Sequence, residues 1–189
     1  MVLLVQESVL LLAYFSGVKP DVITSCCGSL FSHESTNLSG DLASLPHLPM
    51  QIAFFTGMAA TAVSGIIFYL RGRIGYLFSL AATATFLIAA TSVVSFICLY
   101  FYELPTHHCP FCLLQKEYGF IGYVLYATLF SGAVAGIGTG VLMPFRKIGS
   151  LIRIIPAIQR RLTLVTLIFY LLFTLIVSWK MVFSALKLG

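Results

Sequence analysis

Charged side chains are scarce in this sequence, at 9% of 189 residues, whereas soluble domains carry about 25%. Apolar residues make up 59%, and the mean hydropathy is +1.01. Such a chain has too little polar surface to cover a water-soluble globule, so lipid is expected to solvate most of it. The sequence also lacks an RNA-binding signature and a basic stripe interleaved with exposed aromatics, which argues against nucleic acid as a partner despite the net charge of +5.

Long apolar segments predict an all-α integral membrane protein, a four-helix transmembrane bundle plus a fifth transmembrane helix, because about 20 apolar residues cross a bilayer. The predicted spans cover about 2–18, 51–70, 75–102, 110–145 and 163–185, in a single domain. The first is the shortest and carries Gln6 and Glu7. It has no basic n-region and no clean cleavage site, so a retained helix is favoured over a signal peptide.

Basic residues predict the orientation. Seven of the eleven lie in two connections, Arg71, Arg73, Arg146, Lys147, Arg153, Arg160 and Arg161. By the positive-inside rule these connections are cytoplasmic, the N-terminus is cytoplasmic, and the loops 19–50 and 103–116 lie outside. The segment 146–161 alternates basic residues with Ile and Leu, which indicates either an amphipathic segment on the inner membrane surface or a plain orientation signal.

Small residues in the predicted spans indicate close helix packing. Gly132, Gly136 and Gly140 recur every fourth residue on one face, and 75–102 is rich in Ala, Ser and Thr. Such stripes let helix backbones approach closely in lipid. They predict a compact bundle and carry no chemistry.

On this topology the cysteines gather toward the outer face, the oxidising side in most cells. They are Cys26, Cys27, Cys98, Cys109 and Cys112. Pro110 suits the first turn of a helix, so Cys109 is the predicted N-cap of the fourth span and Cys112 lies one turn inside it. Backbone N–H groups and the helix dipole would favour a thiolate there, as thiol–disulfide exchange requires.

Three neighbours of this Cys-x-x-Cys pair bear on its chemistry. Lys116, four residues after Cys112, is expected on the same helical face and adds positive charge. His107 and His108 stand just before the pair and could move protons near neutral pH.

The adjacent Cys26 and Cys27 allow several roles. They could form a strained vicinal disulfide, bind a soft metal, or act as a shuttle pair that exchanges electrons with Cys109. A structural disulfide to another outer cysteine is an equal alternative to the shuttle.

The segment Cys109–Lys116, Cys-Pro-Phe-Cys-Leu-Leu-Gln-Lys, resembles the Cys-Pro-x-Cys-x-x-Gln-Arg segment of DsbB-type quinone-coupled disulfide-forming proteins. The chain order resembles vitamin K epoxide reductase and its bacterial homologues, which carry a cysteine pair in the loop after the first helix and a Cys-x-x-Cys that opens the fourth. The local match covers about 109–125. It departs from the family in its adjacent loop cysteines and in Lys116, which lacks the bidentate fork of Arg.

The resemblance implies a quinone, ubiquinone or menaquinone, held near the outer end of the bundle in a bacterial inner membrane. It implies Cys109 and Cys112 as the quinone-coupled centre and Cys26 and Cys27 in the role of the shuttle pair. A separate extracytoplasmic, thioredoxin-like protein would be the redox partner. The candidate quinone-binding residues are Gln115, Lys116, Tyr118, Tyr123 and Cys98, with Tyr126 further along the same span. Each tyrosine alone is more typical of an interfacial or packing aromatic than of a quinone ligand.

Two other functions compete with the oxidoreductase. The first is binding or transport of a soft metal such as Cu, Zn or Hg by Cys26, Cys27, Cys109, Cys112, His107 and His108. The spans lack an inward series of such ligands, which argues against transport. The second is a non-enzymatic membrane subunit whose cysteines form structural disulfides.

Overall fold

The computed structural model describes residues 45–105, 107–148, 151 and 154–186. Four helices there are long and apolar enough to cross a membrane: α1 (His47–Arg71), α2 (Gly75–Tyr102), α3 (Ile121–Val141) and α4 (Ile154–Phe183). This part of the chain contains no strand, which confirms the predicted helical class. The predicted span 2–18, and most of the loop 19–50 with Cys26 and Cys27, lie outside the described residues.

The span predicted for 110–145 is interrupted. Its first part forms two short 3₁₀ helices, Pro110–Leu114 and Lys116–Tyr118, and the long helix begins only at Ile121. The breaks are local, because Gln115 is extended (φ −82°, ψ 158°) and both Gly119 and Phe120 adopt left-handed backbone (φ 64° and 57°). Apolar composition continues through these residues, so hydropathy alone could not place the break.

The last helix starts earlier than predicted. α4 begins at Ile154 rather than 163, so the second half of the segment 146–161 is part of this helix, and its position on the inner membrane surface stays a prediction. Pro156 stands in the first turn, where its missing N–H costs no hydrogen bond. α1 likewise begins at His47, four residues before the predicted start at 51, directly after the extended Pro46.

The four helices pack in a ring, each against its two neighbours in the order α1, α2, α3, α4 and back to α1. Phe54 of α1 lies in the middle of the core. Its ring centroid is 6.0 Å from that of Phe96 in α2 and 5.9 Å from that of Phe173 in α4. These contacts join three helices around one buried aromatic cluster.

The glycine stripe on α3 packs as predicted. A Cβ at Gly136 would come 2.6 Å from the Cβ of Ala82, and one at Gly132 or Gly140 would overlap Tyr170 or Ser79. α3 therefore approaches α2 and α4 so closely that only hydrogen fits at these positions, which is the role of small residues in lipid.

A polar cluster fastens the end of the bundle where α1 meets α2. Arg146 donates from Nε to Oε1 of Gln159 and from Nη1 to the Gly72 carbonyl at 2.8 Å. Gln159 is fully buried, and its Nε2 donates to the Thr139 carbonyl at 2.8 Å. Burial, together with the positive charge of Arg160, lowers the pKa of Arg146 from its ordinary value.

Candidate functional site

The candidate site lies at the other end of the bundle, where α2 ends and α3 begins. The last part of α2 contains a π-helical turn, Val93–Ile97, followed by Cys98–Tyr102. A π turn widens the helix and redirects backbone carbonyls, and such turns are frequent at functional sites. Every residue from 92 to 100 is buried. The segment 107–118 packs against this stretch, through contacts such as those of His108 and Cys109 with it.

The backbone of Cys109 is held by two side chains from one turn of α2. The Tyr102 hydroxyl donates to the Cys109 carbonyl, and the Cys98 Sγ lies 3.8 Å from the same oxygen. Cys109 is 1% exposed. Its carbonyl is therefore satisfied inside the protein and its position is fixed relative to α2.

The residues on either side of Cys109 are also fastened. The His108 Nδ1–H donates to the Val94 carbonyl in the π turn at 2.9 Å, which sets the tautomer of this ring. The Tyr126 hydroxyl of α3 donates to the Pro110 carbonyl. Three successive residues, 108–110, thus attach to the two helices that flank them.

Cys112 lies in the 3₁₀ helix Pro110–Leu114 and is partly exposed. Cys109 caps this helix in extended conformation with Pro110 at its first position, so the local capping prediction is confirmed. The predicted link to the long span is wrong, because α3 starts at Ile121, nine residues after Cys112, so neither cysteine lies in its first turn. Lys116 belongs to the next turn, beyond the extended Gln115, so it does not share a helical face with Cys112.

The three described cysteines form one group. No disulfide joins Cys98, Cys109 and Cys112 to one another. The Sγ of Cys98 lies 3.8 Å from the carbonyl oxygen of Cys109, and Cys112 belongs to the 3₁₀ helix that Cys109 caps. These three cysteines lie at the same end of the bundle, and the assignment of that end to the outer face stays a prediction.

Aromatic rings pack around Tyr102 above this group. The ring of His107 lies 4.6 Å from the Tyr102 centroid, and that of Tyr118 lies 4.5 Å from it, both edge to face. Such edge-to-face pairs are favourable arrangements of the ring quadrupoles. Tyr118 therefore supports Tyr102, which in turn holds Cys109.

An apolar cavity of about 300 Å³ opens between α2, α3 and the 3₁₀ helix. Its lining residues are Phe86, Ala90, Val93, Val94, Pro110, Phe111, Leu114, Tyr126, Leu129 and Phe130. Phe111 and Phe130 are 63% and 55% exposed at its rim, on the surface that lipid would cover. Within the described part of the chain, Tyr126 is the one lining residue whose side chain carries a hydrogen-bonding group.

The structure places the sequence-predicted quinone ligands away from this cavity. Gln115 and Lys116 are exposed in the turn that follows, and Tyr123 is 60% exposed beside Phe120. Cys98 contacts the Cys109 carbonyl, and Tyr118 packs against the ring of Tyr102. Of the residues considered from the sequence, Tyr126 lines the cavity.

Most of the cavity wall was not identified from the sequence. Phe86 and Phe130, whose ring centroids are 5.4 Å apart, occur in apolar runs where any phenylalanine is typical of a lipid-facing residue. Only the packing of α2 against α3 brings them together. Phe111 was the one available signal, because it stands inside the Cys-x-x-Cys motif itself.

The proposed metal ligands do not form a site on their own within the described ranges. No three His, Cys, Asp or Glu side chains there are grouped so as to hold a metal ion. His107 contacts Tyr102, and His108 contacts the π turn. Cys26 and Cys27, the remaining members of that predicted set, lie outside the described residues.

The two cysteines of a Cys-x-x-Cys segment can form and exchange a disulfide, and the cavity beside this segment can hold an apolar ring. The chain matches no protein-family model, no curated protein and no solved structure.

Proposed function

We propose that this chain is a membrane thiol–disulfide oxidoreductase that passes electrons between thiols of a partner protein and a membrane quinone. One observation carries the proposal. The 3₁₀ helix that contains Cys112, and that Cys109 caps, also supplies three residues of the cavity wall, Pro110, Phe111 and Leu114. A single turn thus faces the thiol group on one side and a lipid-accessible cavity on the other.

The cavity suits the ring of a ubiquinone or menaquinone as substrate. Its volume of about 300 Å³ is at the small end of ligand pockets, and its wall is aromatic and aliphatic. The exposed rim at Phe111 and Phe130 would let an isoprenoid tail remain in lipid. Tyr126 offers the hydroxyl that could bond a quinone carbonyl.

The reaction balances as two exchanges. In the first, a dithiol of the partner protein becomes a disulfide while a Cys109–Cys112 disulfide is reduced to two thiols. In the second, those thiols release two electrons and two protons to the quinone, which becomes the quinol as the sulfur–sulfur bond forms again. Cys112 is the more exposed thiol, so a thiolate of the incoming dithiol attacks its sulfur and displaces the buried Cys109 as a thiolate. The second thiol of the incoming dithiol then resolves the mixed disulfide.

Cys26 and Cys27 are proposed as the relay between the partner and Cys112. The partner is proposed to be a separate thioredoxin-like protein outside a bacterial inner membrane, with the thiol end of the bundle facing outward and the N-terminus cytoplasmic. The distribution of charge supports this orientation. Arg71, Arg73 and Arg146 lie at the end opposite the thiols, where the positive-inside rule expects the cytoplasm.

A quinone-dependent thiol assay tests the proposal. The purified protein is reduced, incubated with decylubiquinone, and analysed by thiol alkylation and mass spectrometry. The wild type is expected to lose the thiols of Cys109 and Cys112 together, and Cys109→Ser and Cys112→Ser to lose this response. Cys98→Ser should keep the response, because serine can still donate to the Cys109 carbonyl and Cys98 is not part of the exchanged bond.

The same sample separates the competing functions. Thiols that stay reduced at every quinone concentration, together with stoichiometric binding of Cu(I), Zn(II) or Hg(II), would replace the proposal with a soft-metal protein. A Cys109–Cys112 bond that neither quinone nor a reduced thioredoxin-like protein changes would indicate a structural disulfide.

A further inference from the structure

The hydroxyl of Tyr126 lies between the cavity and the 3₁₀ helix Pro110–Leu114, which contains Cys112 and is called the thiol turn below. Tyr126 lines the cavity, and its hydroxyl donates to the carbonyl of Pro110, which also lines it. A tyrosine hydroxyl has a single proton to donate. As the structure stands, that proton is used to hold the turn.

Among the described residues that line the cavity, no other side chain could bond a carbonyl, because the remaining nine are apolar. A ligand carbonyl buried there without a donor would leave a polar group desolvated and unpaired, which is unfavourable. Tyr126 must therefore donate either to Pro110 or to the ligand. We propose that Tyr126 is a positioning residue that couples the cavity to the thiol turn: when it donates to a ligand carbonyl, it releases the Pro110 carbonyl. This inference rests on the proposed function, since it assigns the cavity to a carbonyl-bearing ligand.

The release is confined to one side of Cys109. The contacts of Tyr102 and Cys98 with the Cys109 carbonyl, and of His108 with Val94, come from α2 and do not involve the cavity ligand. Cys109 therefore stays in place while the 3₁₀ helix bearing Cys112 gains freedom. The thiol of Cys112 must react first with an incoming thiol and then with Cys109, so it needs such freedom. It gains this freedom only when an electron acceptor occupies the cavity.

A matched pair of redox-inert ligands tests this coupling. A decyl-substituted α-tetralone carries one ring carbonyl, and the same decyl-substituted tetralin has nearly the same shape without it. Neither oxidises thiols, so the reduced protein stays reduced. The measurements are backbone hydrogen exchange of residues 111–118 and the alkylation rate of Cys112, with thermal shift to confirm binding.

The tetralone is expected to speed exchange in this segment about fivefold, the factor that one net hydrogen bond contributes, and the tetralin to leave it unchanged. Tyr126→Phe keeps the ring but should exchange at the faster rate with or without ligand. Tyr123→Phe, on the same helix but exposed, should respond as the wild type does. In Tyr102→Phe, Cys109 should be alkylated faster without ligand, and the tetralone should still speed hydrogen exchange of residues 111–118.

Three results would overturn the inference: bound tetralone that leaves exchange unchanged, a response that persists in Tyr126→Phe, or a tetralone that does not bind at all. The proposed function fails separately. A wild type that responds to the tetralone but never loses thiols to decylubiquinone would remove the quinone reaction and keep the coupling. If decylubiquinone oxidises the thiols but the tetralone leaves backbone hydrogen exchange unchanged, the quinone reaction stays and the coupling is removed.

Discussion

The hydroxyl of Tyr102 and the thiol of Cys98 point at one atom, the carbonyl oxygen of Cys109. The two side chains stand one turn apart on α2, at 7% and 0% exposure. Cys109, which caps the 3₁₀ helix Pro110–Leu114, is thereby attached to the end of α2, at and just after the buried residues 92–100. The contact also explains why the first cysteine of the motif is buried while Cys112 is not.

Replacing Tyr102 by Phe should lower the free energy of unfolding by about 1 kcal/mol, the net contribution of one hydrogen bond, and increase the alkylation rate of Cys109. Chemical unfolding in detergent and timed alkylation measure the two effects. Tyr76→Phe, an exposed tyrosine on the same helix, is the matched control. Unchanged alkylation of Cys109 in the Tyr102 variant would mean that the hydroxyl does not restrain it.

The helical class could be predicted from the sequence, whereas the starts of α1, α3 and α4 differ from those predicted, most of all that of α3. Apolar length is enough to identify α1 to α4, because the bilayer sets the number of residues required. The start of α3 depends on left-handed backbone at Gly119 and Phe120. A phenylalanine in that conformation leaves no mark in hydropathy, so the prediction continued the helix back through the cysteines.

The candidate site divides in the same way. The grouping of Cys98 with Cys109 and Cys112 followed from topology, since all three come near the same helix ends. The cavity did not, because its wall combines residues from α2, α3 and the intervening turn that are individually ordinary membrane residues. Gln115 and Lys116 match positions of a motif, but neither lines the cavity, and the 3₁₀ helix that supplies part of its wall ends at the extended Gln115.

Gly122 gives a prediction about how the turn is supported. A Cβ at this position would come 2.8 Å from the Leu113 carbonyl carbon, a backbone atom that cannot rotate away. Gly122→Ala should therefore lower the free energy of unfolding by about 1–3 kcal/mol and displace the turn that carries Cys112. Thermal unfolding and Cys112 alkylation would measure this.

The control for Gly122 lies on the same helix. A Cβ at Gly138 would meet only Leu162 Cδ1, at 3.5 Å, an ordinary contact. Gly138→Ala should be neutral or stabilising by about 0.5–1 kcal/mol, because alanine favours a helix interior. Equal effects of the two substitutions would contradict the close approach at Leu113.

The polar cluster around Gln159 should be costly to interrupt. Gln159→Leu keeps the approximate volume but leaves the Thr139 carbonyl and the Arg146 Nε–H without the partners they have here. The expected loss is about 2–3 kcal/mol of unfolding free energy. Arg161→Gln, an exposed change on the same helix, should alter it little. If both variants unfold at the wild-type denaturant concentration, the cluster does not hold this end of the bundle together.

The Glu103–Lys180 ion pair predicts a pH dependence. The two side chains meet at 2.9 Å, and hydrogen bonding with the Lys180 ammonium, with its positive charge, lowers the pKa of Glu103. Because the folded-state pKa is lower than the unfolded one, the pair stabilises the fold above the unfolded-state pKa and stops doing so as pH falls through the folded value.

Glu103→Gln should therefore flatten the acid side of the stability profile, and added salt should produce part of the same effect in the wild type by screening the pair. Glu117→Gln is the control, because Glu117 forms no ion pair with the described residues. A wild-type profile that coincides with that of Glu103→Gln between neutral pH and the acid limb would show that the pair contributes nothing.

Ile74 marks the one place where a β-branched residue opens a helix in left-handed backbone, among the residues described. It precedes α2 with φ 62° and ψ 28°, in the tight connection that also contains Gly72 at φ 67°. Left-handed backbone costs an L-residue with a Cβ about 1–2 kcal/mol, and Ile74 is not buried enough to recover all of it by packing. Ile74→Gly should raise the free energy of unfolding by about 0.5–1 kcal/mol, after allowing for the greater freedom of glycine in the unfolded chain. Leu80→Gly, an exposed position in the regular part of α2, should instead lower it by about 1 kcal/mol, and denaturant midpoints that move in the same direction for both variants would exclude strain at Ile74.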